Sequence, residues 1–299
     1  MSLSDGSKPF PIPIKVIGPG SQPVEEEELQ YMQMPRGMET YRPPILPERD
    51  EAAAFKAGQQ ALREIGAALA RAVAALPGGL ARVSERVDLT ALDEADRRFV
   101  NQILGEGEVG ARIDGQRSVR IQESVFASIW RVAVFEGECM VEDYVEVAMV
   151  PFELRTQARL DASDVLAVDA PDRLPPMVMN APSILTELAD QVATWQPGQP
   201  PHVINLTLLP LSPEDVVHLD ERIGSGRATI LSRGYGNCRV SSTRVPNCWR
   251  VVYYNSQDAV ILNTLEIADM PEAVCAAAED MSDALPRFQE VLEWVVTDA

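Results

Sequence analysis

The chain has 299 residues, 46% hydrophobic and 24% charged, with a formal net charge of −19. That length buries a substantial core and allows two ordinary domains, and no apolar run approaches the ~18 residues that cross a bilayer. The acidity argues against nucleic acid, which asks for clustered Lys and Arg against its phosphates; it serves solubility and leaves a basic polypeptide as the more natural partner.

Four cysteines, Cys139, Cys238, Cys248 and Cys275, lack paired spacings, and the N-terminus has no basic segment leading into an apolar core. Together these predict free thiols and a cytoplasmic protein. Residues 1–50 carry many prolines and the acidic run Glu25 to Glu28, and read as an extended arm. Its Ile14, Val16, Ile17, Tyr31, Met32 and Met34 are apolar enough to lie against a domain or a partner.

From Glu51 to Leu76, Phe55, Leu62, Ile65, Leu69 and Val73 recur at helical spacing and predict a long amphipathic helix, weakened by Gly58 and Gly66 and stopped by Pro77-Gly78-Gly79. A short strand follows at Ala81 to Val87. Thr90 is the expected cap of a helix running to Leu104, with Asp93 and Glu94 in its first turn. Strands are predicted at Glu108 to Ile113, Ser118 to Ser124, Phe126 to Phe135 and Val141 to Met149, with Asp114-Gly115 turning the first hairpin. Pro151 to Asn180 is polar and proline-bearing and reads as a connection. A helix at Ser183 to Trp195, a strand at His202 to Leu208 and a helix at Ser212 to Ile223 come next, the last with a serine cap, a proline at its first position and two acids after it. Four strands lie between Arg227 and Ile267, and a closing helix spans Pro271 to Val296, with no expected equivalent after Pro151.

The order repeats because the sequence does. Gly105, Gly107 and Trp130 recur 119 positions later as Gly224, Gly226 and Trp249, and Ser124 falls opposite Thr243. After one inserted residue the offset becomes 120, pairing Glu146 with Glu266 and Pro151 with Pro271. Two copies are too few for a solenoid, so the expected fold class is α+β: a duplicated domain whose pseudo-twofold repeats each pack helices on an antiparallel sheet. The expected division is an arm at 1–50, a first repeat at 51–165, and a second repeat at 166–299 with the closing helix.

No motif for chemistry stands out. Cys238 and Cys248 are too far apart in sequence for a zinc pair, and only hairpin pairing of their strands would bring the thiols together. Neither His202 nor His218 has a nucleophile beside it in the sequence. Gly105-Glu106-Gly107 and Gly224-Ser225-Gly226 lack the lysine of a nucleotide loop and precede strands, so they are turns. The carboxylates Glu106, Glu108, Glu142, Asp143, Glu146 and Glu266 offer an acid/base site only in the sense that any acidic chain does. What remains is a polar set with two tyrosines, Arg233, Tyr235, Asn237, Arg239, Asn247, Tyr253, Asn255, Asn263 and Thr264, whose alternation suits the gripping of an extended peptide.

Several longer strings carry a resemblance: Val16-Ile17-Gly18-Pro19-Gly20-Ser21-Gln22, Pro44-Ile45-Leu46-Pro47-Glu48, Gln122-Glu123-Ser124-Val125-Phe126, His202 to Pro210, Ile230 to Arg239, and Ile261-Leu262-Asn263-Thr264-Leu265-Glu266. They are similar to those of the HupH/HoxQ/HyaF family of hydrogenase expression and formation proteins. The resemblance implies an accessory protein, without catalysis or a resident cofactor, in the maturation of uptake nickel-iron hydrogenases. It would act on the precursor of the iron-sulfur small subunit before export, beside a thioredoxin-like companion. That precursor carries a twin-arginine signal peptide with a basic start, which an acidic protein would attract. The residues placed at the partner surface, from the polar set and the family strings together, are Arg233, Tyr235, Asn237, Cys238, Arg239, Asn263, Glu266 and Glu123. The alternative is transient handling of iron or a cluster by Cys238 with Cys248 or Cys275.

Overall fold

The computed structural model describes residues 46–76, 84–162, 166, 168–169, 174–233 and 236–296. Most of the expected arm and Tyr235 fall outside these. The first helical stretch is broken: a single turn, α1 (Arg49–Ala52), precedes α2 (Lys56–Ala75), and Gln59 Nε2 donates to the Ala52 carbonyl across the break at 2.7 Å. The two glycines that weaken α2 on propensity have packing reasons. A Cβ at Gly58 would stand 2.8 Å from the Phe99 ring and one at Gly66 2.7 Å from Leu292, so two further helices approach α2 at these positions.

Strand β1 (Ser84–Asp88) leads to α3 (Glu94–Leu104). The cap of α3 is Asp93, whose carboxylate accepts from the Asp96 amide at 2.8 Å. Thr90 is occupied elsewhere, its hydroxyl bonding both the amide and the carbonyl of Asp143 on the neighbouring strand. Four strands follow, β2 (Val109–Ile113), β3 (Arg117–Glu123), β4 (Ile129–Glu136) and β5 (Cys139–Ala148). The segment after Pro151, expected to be irregular, forms α4 (Phe152–Asp161). The second half repeats the order with α5 (Ala181–Thr194), β6 (His202–Asn205), α6 (Pro213–Ile223), β7 (Ser225–Ser232), β8 (Asn237–Thr243), β9 (Cys248–Tyr254) and β10 (Val260–Ile267). Strand β6 is shorter than expected because Leu206–Leu208 turns into a single 3-10 turn. At α6 the Ser212 and Asp215 side chains cap each other's amides in a full capping box. The closing helix α7 begins at Ala278 and runs to Val295 after a 3-10 turn at Glu272–Val274.

The ten strands of the described residues join one antiparallel sheet in the order β1-β5-β4-β3-β2-β7-β8-β9-β10-β6. The halves meet at β2 and β7, where Ala111 pairs with Ile230, its own counterpart 119 positions on. A twofold relating the repeats therefore passes through that pair, perpendicular to the sheet. The likeness extends to detail. Trp130 and Trp249 are fully buried, and their indole N–H groups donate to the carbonyls of Ala148 and Ala268. Ser124 and Thr243 close the same hydroxyl turn, Gly105 and Gly224 both end a helix at φ +60°, and Ser128 and Asn247 both take positive φ.

Because the axis is perpendicular to the sheet, equivalent helices of the two repeats lie on one face. There α2, α3 and α7 bury Val87, Ile129, Val145 and Val147, while α5 and α6 bury Ile204, Cys248, Leu265 and Ile267. The closing helix thus leaves the repeat it follows and packs on the first, with Phe288 edge-on to Phe126 at 4.9 Å. Conversely, Leu154 of α4 joins Ala228, Ile230 and Val240 of the second repeat, on the opposite face, in a core that also holds Ile113, Val119, Ile121 and Val274.

Candidate functional site

Helices α3 and α6 are only 11 residues each and lie over the outer strands, so among the described residues the helical face of β3, β2, β7 and β8 carries no buried side chain short of Thr243 at the end of β8, while the middle of the reverse face of the same strands is buried. Strand alternation decides this, sending the aliphatic residues behind and polar ones forward. Pairing register draws two lines across the open face: Arg131, Gln122, Gly110, Leu231, Arg239 and Val252, and beside it Ala133, Arg120, Arg112, Thr229, Ser241 and Arg250. Each line is the pseudo-twofold image of the other. A chain with a net charge of −19 therefore gathers five arginines on one sheet face.

Three of them are neutralised. Arg131 bonds Asp143 and donates to Asn101 Oδ1 on α3 at 2.8 Å, while Arg97 also reaches Asp143 at 2.8 Å. In the second repeat Arg250 donates to Asn263 Oδ1 at 2.8 Å and pairs with Asp220 on α6. Carboxylate and amide have changed places: strand Asp143 and helix Asn101 in one repeat become strand Asn263 and helix Asp220 in the other. Arg112 pairs with Asp114 at 3.3 Å. Arg120 lies 4.9 Å over the Phe135 ring, and neither it nor its counterpart Arg239 has an ion pair among the described residues. Beside α6 the face deepens into a concavity of about 260 Å³, with Arg239, Arg250, Tyr254 and Asn263 in its wall.

The structure divides the residues expected at a partner surface. Asn237 and Arg239 share the open face, while Asn263, on β10, lies on the same side of the sheet but is buried and bonded to Arg250. Arg233 is exposed just beyond β7, its amide bonded to the Glu108 carbonyl at 3.1 Å. Cys238 and Glu266 point to the reverse face, near Tyr253. Glu123 is buried at the end of β3 in the other repeat, and burial, helped by Glu108 and Asp280, pushes its carboxyl up to about 7. Sequence reading missed Arg120, Arg112, Arg131 and Arg250. Arg120 and Arg239 sit at the same offset as the tryptophans, so laying the repeats over each other would have found that pair.

Cys238, Cys248 and Cys275 sit in or against the cores, while Cys139 is exposed. Strands β8 and β9 are hairpin partners, as the Cys238 and Cys248 pairing required, but Cys238 stands opposite Tyr253, five residues from Cys248, so the two thiols project from opposite faces. That overturns their joint use as iron ligands. Burial pushes Cys238 up to about 11 and Cys248 up to about 12, and Cys275 likewise to about 12, so in the metal-free chain all three are protonated, with Cys238 and Cys275 both at the core of the reverse face.

The family model of the HupH hydrogenase expression protein, C-terminal conserved region, matches the chain twice, at residues 56–167 and 178–295. Among curated proteins, the hydrogenase expression/formation protein HoxQ of Cupriavidus necator is 53% identical over 96% of this chain and 98% of its own. HupH of Rhodobacter capsulatus is 43% identical over 95% and 98%, and the hydrogenase-1 operon protein HyaF of Escherichia coli 36% identical over 71% and 74%. A solved structure of the hydrogenase expression protein HupH from Thiobacillus denitrificans is 29% identical, covers 38% of this chain and 93% of that one, and superposes with a TM-score of 0.34. Both repeats carry the conserved region, and the chain belongs to the HupH family of hydrogenase expression and formation proteins.

Proposed function

We propose that this chain is an accessory protein in the maturation of a nickel-iron hydrogenase, one that holds the precursor of the iron-sulfur small subunit before export. It works in the cytoplasm, beside a thioredoxin-like companion, and performs no chemistry of its own. Membership of a family whose relatives are named for hydrogenase expression and formation, along both repeats, carries the reading. The open sheet face supports it, since a binding protein needs an uncovered surface with unspent hydrogen-bond donors. Among the described residues no helix is long and apolar enough to cross a membrane, which suits a factor acting ahead of export.

Affinity-tagged chain, co-expressed with the small-subunit precursor, is expected to retain it through purification, with the leader intact and, more weakly, with the leader removed. Failure to capture either form at low salt would remove the basis of the reading.

A further inference from the structure

We infer that the open sheet face receives an acidic, extended segment of the partner, with carboxylates meeting Arg120 and Arg239 on the two sides of the pseudo-twofold axis. The inference rests on the proposed function only in taking the partner to be a polypeptide. Charge complementarity carries it. Asp143, Asp220 and Asp114 on and beside this face are already engaged by Arg131, Arg250 and Arg112, so what the face still offers is guanidinium donors. The two arginines without an ion pair among the described residues are symmetry counterparts, which makes the pair a property of the doubled fold. Leu231, Val252 and Tyr254 are partly exposed between and beside them and supply contact for the segment's other side chains.

Arg120 and Arg239 are separated by three strand spacings and two residues along the strand, about 16 Å at ~4.8 Å per strand and ~3.3 Å per residue. An extended peptide covers that with about five residues, so the expected segment has carboxylates four to six residues apart, give or take ~1 residue of side-chain reach. Two arginines without an ion pair among the described residues, in an acidic chain, do not serve a nucleic acid, whose affinity comes from many neutralised phosphates. Nor do they suit the basic leader. The face would read a carboxylate-bearing part of the partner, leaving the leader to acidic surface elsewhere.

The test uses the full chain and fluorescence anisotropy with three labelled probes: a peptide of alternating glutamate and threonine, its glutamine counterpart, and an oligothymidylate. The glutamate peptide is expected to bind, the glutamine peptide to bind at least about tenfold more weakly, and Arg120→Gln with Arg239→Gln to cost roughly tenfold for each arginine removed. Arg98→Gln, on the exposed side of α3 against Glu94, is expected to change affinity by less than about twofold. Because Arg120 also packs on Phe135, Arg239→Gln alone serves if the double variant unfolds. No binding of the glutamate peptide, equal binding of its glutamine form, an unchanged variant, or tighter binding of the oligothymidylate would each overturn the inference. If the double variant captures the precursor as the native chain does, this inference fails and the chaperone reading stands. If the chain binds the peptide but no precursor, the chaperone reading fails and the acidic-segment site stands.

Discussion

The exchanged pair of side chains beneath the open face permits a stringent experiment, beginning with Asp143→Asn. Asp143 has no exposed side-chain surface and is held by Arg131 and Arg97, whose side chains are 16% and 24% exposed. Breaking a buried pair by removing one partner costs ~3–5 kcal/mol. Both arginines keep some solvent access and Arg131 keeps Asn101, so the lower end, ~3 kcal/mol, is the expected loss. At about 2–4 °C per kcal/mol for a large domain, the unfolding midpoint falls by roughly 6–12 °C. Adding Asn101→Asp reproduces the arrangement that holds Arg250 in the second repeat, with the carboxylate on the helix and the amide on the strand. The double variant should recover at least ~1 kcal/mol relative to the sum of the singles, as groups sharing one partner couple. Thermal and urea unfolding followed by circular dichroism measure all four corners of the cycle. Single effects that simply add, within ~0.5 kcal/mol, would refute the claim that the two repeats solve the same burial problem in interchangeable ways.

A carboxyl whose folded pKa lies above its unfolded value holds a proton longer in the native state, so Glu123, pushed up to about 7 from 4.5, costs stability progressively as pH climbs between those values. Glu123→Gln should match the native chain near pH 4.5 and exceed it by up to ~3 kcal/mol at pH 8, and parallel stability curves would contradict this. Iodoacetamide at pH 8 should label exposed Cys139 in the native chain and leave Cys238 and Cys248 unmodified until denaturant is added, as read by mass spectrometry. Rapid native labelling of Cys238 would reopen a cluster-handling role. Charge reversal at Glu25 to Glu28 should weaken capture of the leader-bearing precursor chiefly at low ionic strength, and unchanged capture would exonerate the acidic run.

Much of the architecture is legible because its causes are local. Ser212-Pro213-Glu214-Asp215 starts a helix wherever it stands, and the paired glycines and tryptophans set the repeats in register before any tertiary contact is known. Helix α4 escaped because its sequence, Phe-Glu-Leu-Arg-Thr-Gln-Ala-Arg-Leu-Asp, has almost no apolar face. It is held by buried Leu154, reaching the strands of the other repeat, and by Asp161, which accepts from the Arg227 amide and Nε at 2.8 Å, contacts no local pattern encodes. Thr90 has the chemistry of a cap, but tertiary pairing claimed it for Asp143 and left the capping to Asp93.

The candidate face divides along the same line. That Arg239, Asn237 and Asn263 occupy alternating polar positions follows from the sequence alone, as do the duplication and the order of elements, because periodicity and capping act over a few residues. That Arg239 shares a surface with Arg120, and that Cys238 turns its back on Cys248, was decided only when β2 paired with β7 and β8 with β9 in particular registers. The pairing of β2 with β7, 119 residues apart, is set by hydrogen bonds and packing across the whole molecule, and that of β8 with β9 by the register of their hairpin; in either a shift of one residue would send the side chains concerned to the other face.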